Sequence, residues 1–236
     1  MDKLIVIVAA AGLGKRLGLG KNKTFVEVEK APLLAHNLHN ISKVENLDRV
    51  IVVVREEEIA EAEGLISQYQ PKYYPQLTWT VVAGGAERQD SVANALESIP
   101  EEDGYVAVHD GARPFADAAI FARVWAKAKI TGAAIAAMPC KDTIKVVDAK
   151  DVVVQTPPRQ TLRSVQTPQI FNLRLLRTAY RGLRITGGMV TDDAGAVENM
   201  GVPVSIAAGS YQNIKITTPE DLAVARALLS CKEVKV

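Results

Sequence analysis

Leu4-Ile5-Val6-Ile7-Val8-Ala9-Ala10-Ala11-Gly12-Leu13-Gly14-Lys15-Arg16-Leu17-Gly18 is the stretch on which the reading of the fold turns. Five consecutive branched apolar residues read as a buried strand, and alanines and glycines then open a loop directly at its carboxyl end. Other short runs follow at residues 49–54, 77–82, 105–109 and 133–138, with helical patterns such as 90–98 and 118–129 between them. Strands alternating with helices predict an α/β fold with a mostly parallel, twisted sheet flanked by crossover helices.

The pattern changes after Pro139. Residues 143–147 and 152–155 flank the polar turn Asp148-Ala149-Lys150-Asp151 and read as a β-hairpin, followed by Pro157-Pro158. An apolar hairpin without a helix of its own needs another surface, and a partner subunit would supply one. Residues of about 139–163 are therefore expected to form an arm that promotes a homodimer. Strands are expected again at 202–207 and 213–216. Thr218-Pro219-Glu220-Asp221 then opens a last helix, with Thr218 as cap, Pro219 in the first helical position and acids in the first turn. Without repeats, low-complexity tracts or a Gly/Ser linker, residues 1–232 read as one domain carrying the arm.

Of the 236 residues, 48% are hydrophobic and 23% charged, a balance that gives no sign of disorder. The formal net charge of +1 speaks against a general nucleic-acid or membrane-surface binder, so an anionic ligand must be met by local clusters of Lys and Arg. Cys140 and Cys231 cannot build a disulfide framework and have no ligand partners at metal-site spacing. The apolar run 4–11 is far too short to span a bilayer, and its positive charges follow it, unlike those of a secretory signal. The expected address is the cytoplasm.

In the first loop, small residues let a ligand approach the backbone and glycines aim successive N–H groups at an anion. Lys15, Arg16, Lys21 and Lys23 add concentrated positive charge, which suits a triphosphate. A P-loop is not matched, since Arg16 follows Gly14-Lys15 where Ser or Thr belongs. A dinucleotide fingerprint is matched poorly: the glycines are at 12, 14 and 18, and the second strand ends in Arg55 rather than an acid. A merely flexible loop is the bland alternative, and the cations speak against it.

Gly84-Gly85-Ala86-Glu87-Arg88-Gln89-Asp90-Ser91 follows the third strand, again where open α/β sheets bind ligands. Glu87 and Asp90 read as a turn and helix cap; Ser91 and the glycines are the candidates for contacting a base. His109-Asp110-Gly111-Ala112-Arg113-Pro114 ends the fourth strand. There a carboxylate can bind a hydroxyl or a metal while the Arg meets a phosphate, or the two can form a local turn. Thr191-Asp192-Asp193 is compatible with a simple helix start capped by Thr191. Lys215, within Asn213-Ile214-Lys215-Ile216-Thr217, can snorkel or reach an anionic centre. His36 and His39 lack an acid or Cys nearby and read as surface or packing residues, not ligands.

Together these segments resemble the 2-C-methyl-D-erythritol 4-phosphate cytidylyltransferase family over nearly the whole chain, from Val6 to about Leu229. The carriers are the first loop, the segment 84–91, the segment 108–114, Lys141-Asp142-Thr143, Gln166-Thr167-Pro168-Gln169, Thr191-Asp192-Asp193-Ala194 and the segment 213–217. The resemblance implies a Rossmann-like nucleotidyltransferase fold and transfer of CMP from CTP to a small polyol phosphate, with Mg²⁺ held mainly by the CTP phosphates. It implies that Arg16 and Lys23 neutralise those phosphates and that Lys215 completes the charge around the α-phosphate. Ala10, Ala11, Gly12, Gly14, Gly85, Ser91 and Asp110 would line the nucleotide site. Asp110, Arg113, Thr191 and Lys215 would line the methylerythritol phosphate site, joined by Thr143 and Arg159 from the neighbouring subunit's arm. The chain departs from the family pattern at Asn22-Lys23-Thr24, where Pro-Lys-Gln is usual, and at Ala86, where an acid is common. Ribitol-5-phosphate cytidylyl transfer is the alternative with the same chemistry; a non-catalytic nucleotide binder and a nicotinamide oxidoreductase are the rivals from other classes.

Overall fold

The structure is a computed structural model that describes residues 3–12, 14 and 22–231. In chain order its elements are β1 (Leu4–Ala9), β2 (Glu27–Val28), β3 (Ala31–Pro32), α1 (Leu33–Ile41), β4 (Leu47–Val54), α2 (Ile59–Tyr73), β5 (Trp79–Ala83), α3 (Arg88–Glu97) and β6 (Tyr105–Asp110). They continue with α4 (Ala118–Thr131), β7 (Ala133–Pro139), β8 (Val146–Val147), β9 (Val153–Gln155), β10 (Arg163–Asn172), α5 (Leu173–Thr186), α6 (Asp193–Glu198), β11 (Ser205–Ala208) and α7 (Pro219–Cys231).

Seven strands form one sheet in the order β11-β7-β10-β6-β1-β4-β5. The pairs β1/β4, β1/β6, β4/β5 and β7/β11 are parallel, and only β10 runs against its neighbours. The apolar runs are continuous because both sheet faces are covered. Leu4, Val6 and Val8 of β1 join one core with α1, α2 and α4, while Ile5 and Ile7 join the other with α3 and α5. Val50, Val52 and Val54 against Ile51 and Val53 repeat that division in β4. A third, smaller cluster seats α7 through Leu222, Ala225 and Leu229 on Val26, Val28 and Phe115. No helix among the described residues is long and apolar enough to cross a membrane.

The hairpin after Pro139 forms as β8 and β9, antiparallel and separate from the main sheet. Val147, Val152, Val153 and Val154 on it are exposed.

Three expectations about local structure need correction. Residues 213–216 are not a strand: Ile216 N–H donates to the Ala112 carbonyl, Ile214 N–H to Gln212, and the buried Asn213 amide to the Thr167 carbonyl. The segment is pinned loop to loop by these bonds, so its apolar residues do not mark a ladder. The cap of α6 is Asp192, whose carboxylate accepts from Gly195 N–H at 3.0 Å, and Thr191 lies outside the helix. The edge strand expected from residue 202 begins at Ser205.

Phe121 and Phe171 are fully buried on opposite faces of the sheet. Phe121→Ala is expected to lower the free energy of unfolding by about 3–5 kcal/mol through lost burial and a residual cavity. Urea unfolding with an unchanged slope would measure it; a loss under ~1 kcal/mol would show that α4 is not locked onto the sheet as described.

Candidate active site

Parallel strands deliver their carboxyl ends to one edge. Ala9 pairs with both Val53 and Asp110, and Val54 with Ala83, so the loops after β1, β4, β5 and β6 emerge together. Short backbone bonds knit them: Ala10 N–H to Val53 O at 2.8 Å, Gly84 N–H to Val54 O at 2.7 Å, and Gly111 N–H to Ala9 O at 2.9 Å. A Cβ on Gly84 would lie 2.8 Å from both Ala11 Cβ and Ser91 Oγ, which explains the glycine at that crossing. The loops enclose a cleft of about 280 Å³ that gathers Ala10, Ala11, Gly12, Lys23, Gly85, Ser91, Asp110 and Lys215 from separate stretches of sequence.

Asp110 is the electrostatic centre of this cleft. Its carboxylate, buried at the end of β6, lies 2.8 Å from Lys215 Nζ, 3.4 Å from Arg113 Nε and 3.6 Å from Arg88 Nε. Burial pushes the Asp110 carboxyl up, but Lys215, Arg88 and Arg113 together overcome it and hold the group well below the usual carboxylate range. The antiparallel strand β10 supports the site from behind: Asp110 N–H donates to Thr167 Oγ1 at 3.0 Å, which also bonds His109 Nδ1 at 2.9 Å. Burial drives His109 down to about 4, despite neighbouring Asp110, so the imidazole is neutral near pH 7 and serves as a spacer under the site.

Sequence reasoning missed the partner that orients Arg88. Its guanidinium forms a two-pronged pair with the fully buried Asp193, at 3.1 and 2.6 Å, and Tyr180 donates its hydroxyl to Asp193 Oδ1 at 2.6 Å. Burial and then Asp193 push the Tyr180 phenol up, so it remains a donor. Arg88 therefore spans two carboxylates, Asp193 in the core and Asp110 at the cleft. Asp193 stands in the quoted Thr191-Asp192-Asp193 segment, but its pairing over 105 positions leaves no local signal.

The remaining candidates are placed as follows. Arg113 is held over Asp110 by a bond from Nη1 to the Asn213 carbonyl at 2.8 Å. Ser91 Oγ accepts from Gly85 N–H at 3.0 Å and donates to the Glu87 carbonyl at 3.1 Å, so its donor is engaged while a second acceptor position remains. Glu87 caps α3, and Asp90 accepts from Glu87 N–H, as a helix start requires. Gly14, Arg113, Thr191, Thr143 and Arg159 do not belong to the cleft lining; Thr191 is exposed beside the α6 cap, and Thr143 and Arg159 lie on the exposed arm. Arg16 lies outside the described residues. His36 is buried with Nε2 2.7 Å from the Val28 carbonyl, and His39 packs edge-on against Tyr73.

A groove of similar size, about 300 Å³, lies between α3 and α5. Its Arg177 donates to the carbonyls of Leu96, Ile99 and Glu101 at the end of α3, so that charge serves the fold. The cleft at the sheet edge gathers its charge on the strand ends, with Lys23, Arg88 and Lys215 in its lining beside Asp110.

Comparison with known proteins gives the same answer from several directions. Residues 4–231 match the family described as 2-C-methyl-D-erythritol 4-phosphate cytidylyltransferase. A Bacillus cytotoxicus protein of that name is 45% identical over 224 residues, covering 95% of this chain and 96% of that protein. The crystal structure of 4-diphosphocytidyl-2C-methyl-D-erythritol synthase from Anaerococcus prevotii is similar with a TM-score of 0.85 and 30% identity, covering 97% of this chain and 96% of that one. The 2-C-methyl-D-erythritol 4-phosphate cytidylyltransferase structure from Thermus thermophilus is similar with a TM-score of 0.76 and 33% identity, covering 98% and 100%.

A carboxyl whose folded-state pKa is depressed contributes stability above its unfolded pKa and loses it as pH falls through the folded value. For Asp110 that window lies below the ordinary carboxylate range. Lys215→Met removes the nearest cation and is expected to raise the Asp110 pKa, which a carboxyl ¹³C NMR titration would read. An unchanged pKa would remove Lys215 from the centre of the cluster.

Proposed function

This chain belongs to the 2-C-methyl-D-erythritol 4-phosphate cytidylyltransferase family, and from that membership we propose how its cleft performs the transfer. The reaction passes CMP from CTP to 2-C-methyl-D-erythritol 4-phosphate, yielding 4-diphosphocytidyl-2-C-methyl-D-erythritol and pyrophosphate for isoprenoid precursor synthesis. Ribitol 5-phosphate, the alternative acceptor, is the control substrate, since the matched family and relatives carry the methylerythritol name.

The observation that supports the site reading is the concentration of positive charge on one sheet edge, with Lys23, Arg88 and Lys215 lining the cleft and Arg113 beside Asp110 at its margin. The acceptor phosphate is already a nucleophile. An oxygen of it forms a bond to the α-phosphorus of CTP while the bond to the bridging oxygen of the leaving pyrophosphate breaks. The obstacle is repulsion between two anions and charge on the leaving group, and fixed cations answer both by alignment and electrostatics. Lys23, together with Arg16 from the same loop, meets the triphosphate; Lys215 meets the α-phosphate. Backbone groups at Ala10, Ala11, Gly12 and Gly85, with the free acceptor position of Ser91, receive the cytidine; Gly14 belongs to the same loop but stands outside the cleft lining. Asp110 and Arg113 face the acceptor substrate, with Thr191 at its edge.

Among the described residues no three His, Cys, Asp or Glu side chains are grouped to hold a metal, and Asp110 is already surrounded by cations. This donor set fits Mg²⁺ arriving on the triphosphate, with Asp110 as at most a single protein ligand. Bound so, the ion would neutralise phosphate charge during the transfer.

The arm suits a homodimer. Its exposed valines are unlike the polar surface of a finished two-stranded ribbon, which is marginal alone. Covering them with a second copy would bring Thr143 and Arg159 to the partner's acceptor site. A CTP donor suits a cytoplasmic address.

Lys23→Ala and Lys215→Ala are each expected to lower kcat by about 10²–10³-fold with the fold retained by circular dichroism. Pyrophosphate release with CTP, Mg²⁺ and each polyol phosphate measures this, and near-normal turnover in either variant would overturn the assigned role. In sedimentation the protein is expected as a dimer at micromolar concentration; a monomer would remove the argument from the arm.

A further inference from the structure

The turn that carries Lys23 departs from the family's usual Pro-Lys-Gln, and the structure shows what stands in its place. Asn22 is a buried polar residue, 1% exposed, at the start of the short 3₁₀ turn Lys23–Phe25. Every hydrogen-bonding position of its carboxamide is used. Nδ2 donates to the Ala10 carbonyl at 2.6 Å and to Glu58 Oε2 at 2.8 Å. Oδ1 accepts from Thr24 N–H at 3.1 Å and from Thr24 Oγ1 at 2.9 Å. Two acceptors on one side and two donors on the other leave a single orientation of the amide that satisfies all four.

These partners come from different parts of the sheet edge. Ala10 leaves β1 and lines the cleft. Glu58 follows β4 and is itself fixed, accepting from Arg55 N–H at 3.2 Å and from Arg55 Nε at 3.0 Å. Thr24 lies against the loop after β6: a Cβ on Gly111 would stand 3.0 Å from Thr24 Cγ2. The residue between Asn22 and Thr24 is Lys23, whose Nζ donates to the Ile216 carbonyl at 3.1 Å, next in sequence to Lys215. The amide thus ties the turn that carries Lys23 to the segments after β1 and β4, and Thr24, which it also holds, lies against the loop after β6.

We propose that Asn22 is the positioning residue for Lys23, holding it toward the triphosphate site through the joint with Ala10, Thr24 and Glu58. The inference rests on the assignment of Lys23 as a cation of the transfer. A buried amide with four partners is a rigid mount; a cation placed by it loses little freedom when the anions arrive, and small displacement of such a group weakens the transition state more than the ground state. A proline in place of Asn22 would offer no carboxamide for this joint.

The mount is tested by kinetics on Asn22→Ala, Asn22→Asp, Glu58→Gln and the double variant N22D/E58Q, with Lys23→Ala beside them. Asn22→Ala is expected to lower kcat about a hundredfold, with KM for the polyol phosphate within about twofold, as for a misplaced group. Asn22→Asp sets two carboxylates face to face and is expected to be as impaired. In N22D/E58Q the amide introduced at position 58 donates to the carboxylate introduced at position 22, reversing that one bond while the Ala10 carbonyl and the Arg55 N–H lose theirs, and kcat is expected to recover in part, by about tenfold over N22D. Recovery requires a folded protein, so it answers the case in which N22A is simply unstable. An N22A kcat within about twofold of the parent, or no recovery in the double variant, would overturn the proposal. If Lys23→Ala itself keeps near-normal turnover, it is the role of Lys23 that fails, and the two failures are told apart.

Discussion

Burying one carboxylate among three cations is the constraint around which the molecule is arranged. Asp110 could not be sunk at the end of β6 unpaired, and the partners that stabilise it arrive from three other places: α3 supplies Arg88, the loop after β6 supplies Arg113, and the loop before α7 supplies Lys215. Arg88 in turn carries the buried Asp193 of α6. Three cations against two carboxylates leave an excess of positive charge. On the proposed function an anion at the open side of the cluster would balance that excess. On that reading, the arrangement that makes the edge stable is also the one that receives phosphate.

The sheet explains why this cluster forms where it does. Four parallel strands bring the backbone ends of β1, β4, β5 and β6 to one line, and glycines let the loops after them cross at close range. The one reversed strand is equally necessary. Because β10 runs the other way, its early residues, not its late ones, reach that edge, and Thr167 can receive the Asp110 N–H while the Asn213 amide grips the Thr167 carbonyl. A parallel strand in that position would present its end instead, and the loop holding Lys215 would have nothing of this kind to bind.

What the sequence disclosed follows the same physics. β1 and β4 were legible because both sheet faces are covered by helices, so their residues are almost all branched and apolar. β10 was not legible as a strand: Ser164, Gln166, Thr167, Pro168 and Gln169 interrupt any apolar pattern. The polar groups of Gln166, Thr167 and Gln169 are buried on partners far along the chain, as with Gln169 to Asp192 and Ala194 N–H. Residues 213–216 failed in the opposite sense, apolar enough for a strand yet held by side-chain and loop bonds. In the cleft, residues attached to a glycine loop or a strand end, such as Gly85, Asp110 and Lys23, could be picked out in sequence. Arg88 could not be separated from its capping neighbours Glu87 and Asp90, because what distinguishes it is Asp193, and nothing local marks that pairing.

The two halves of the cleft differ in how complete one chain makes them. The nucleotide side is built from loops whose backbone groups are bonded to one another within the chain. The acceptor side has Asp110 and Arg113 fixed in place, but Thr191 stands exposed beside it and Thr143 and Arg159 stand on an arm whose valines face solvent. On the proposed assembly one event serves both needs, since the surface that covers the valines also delivers the missing phosphate contacts. The same assembly would give a physical reason for the hairpin to remain apolar and unpaired with the main sheet: its valines would be covered by the second copy.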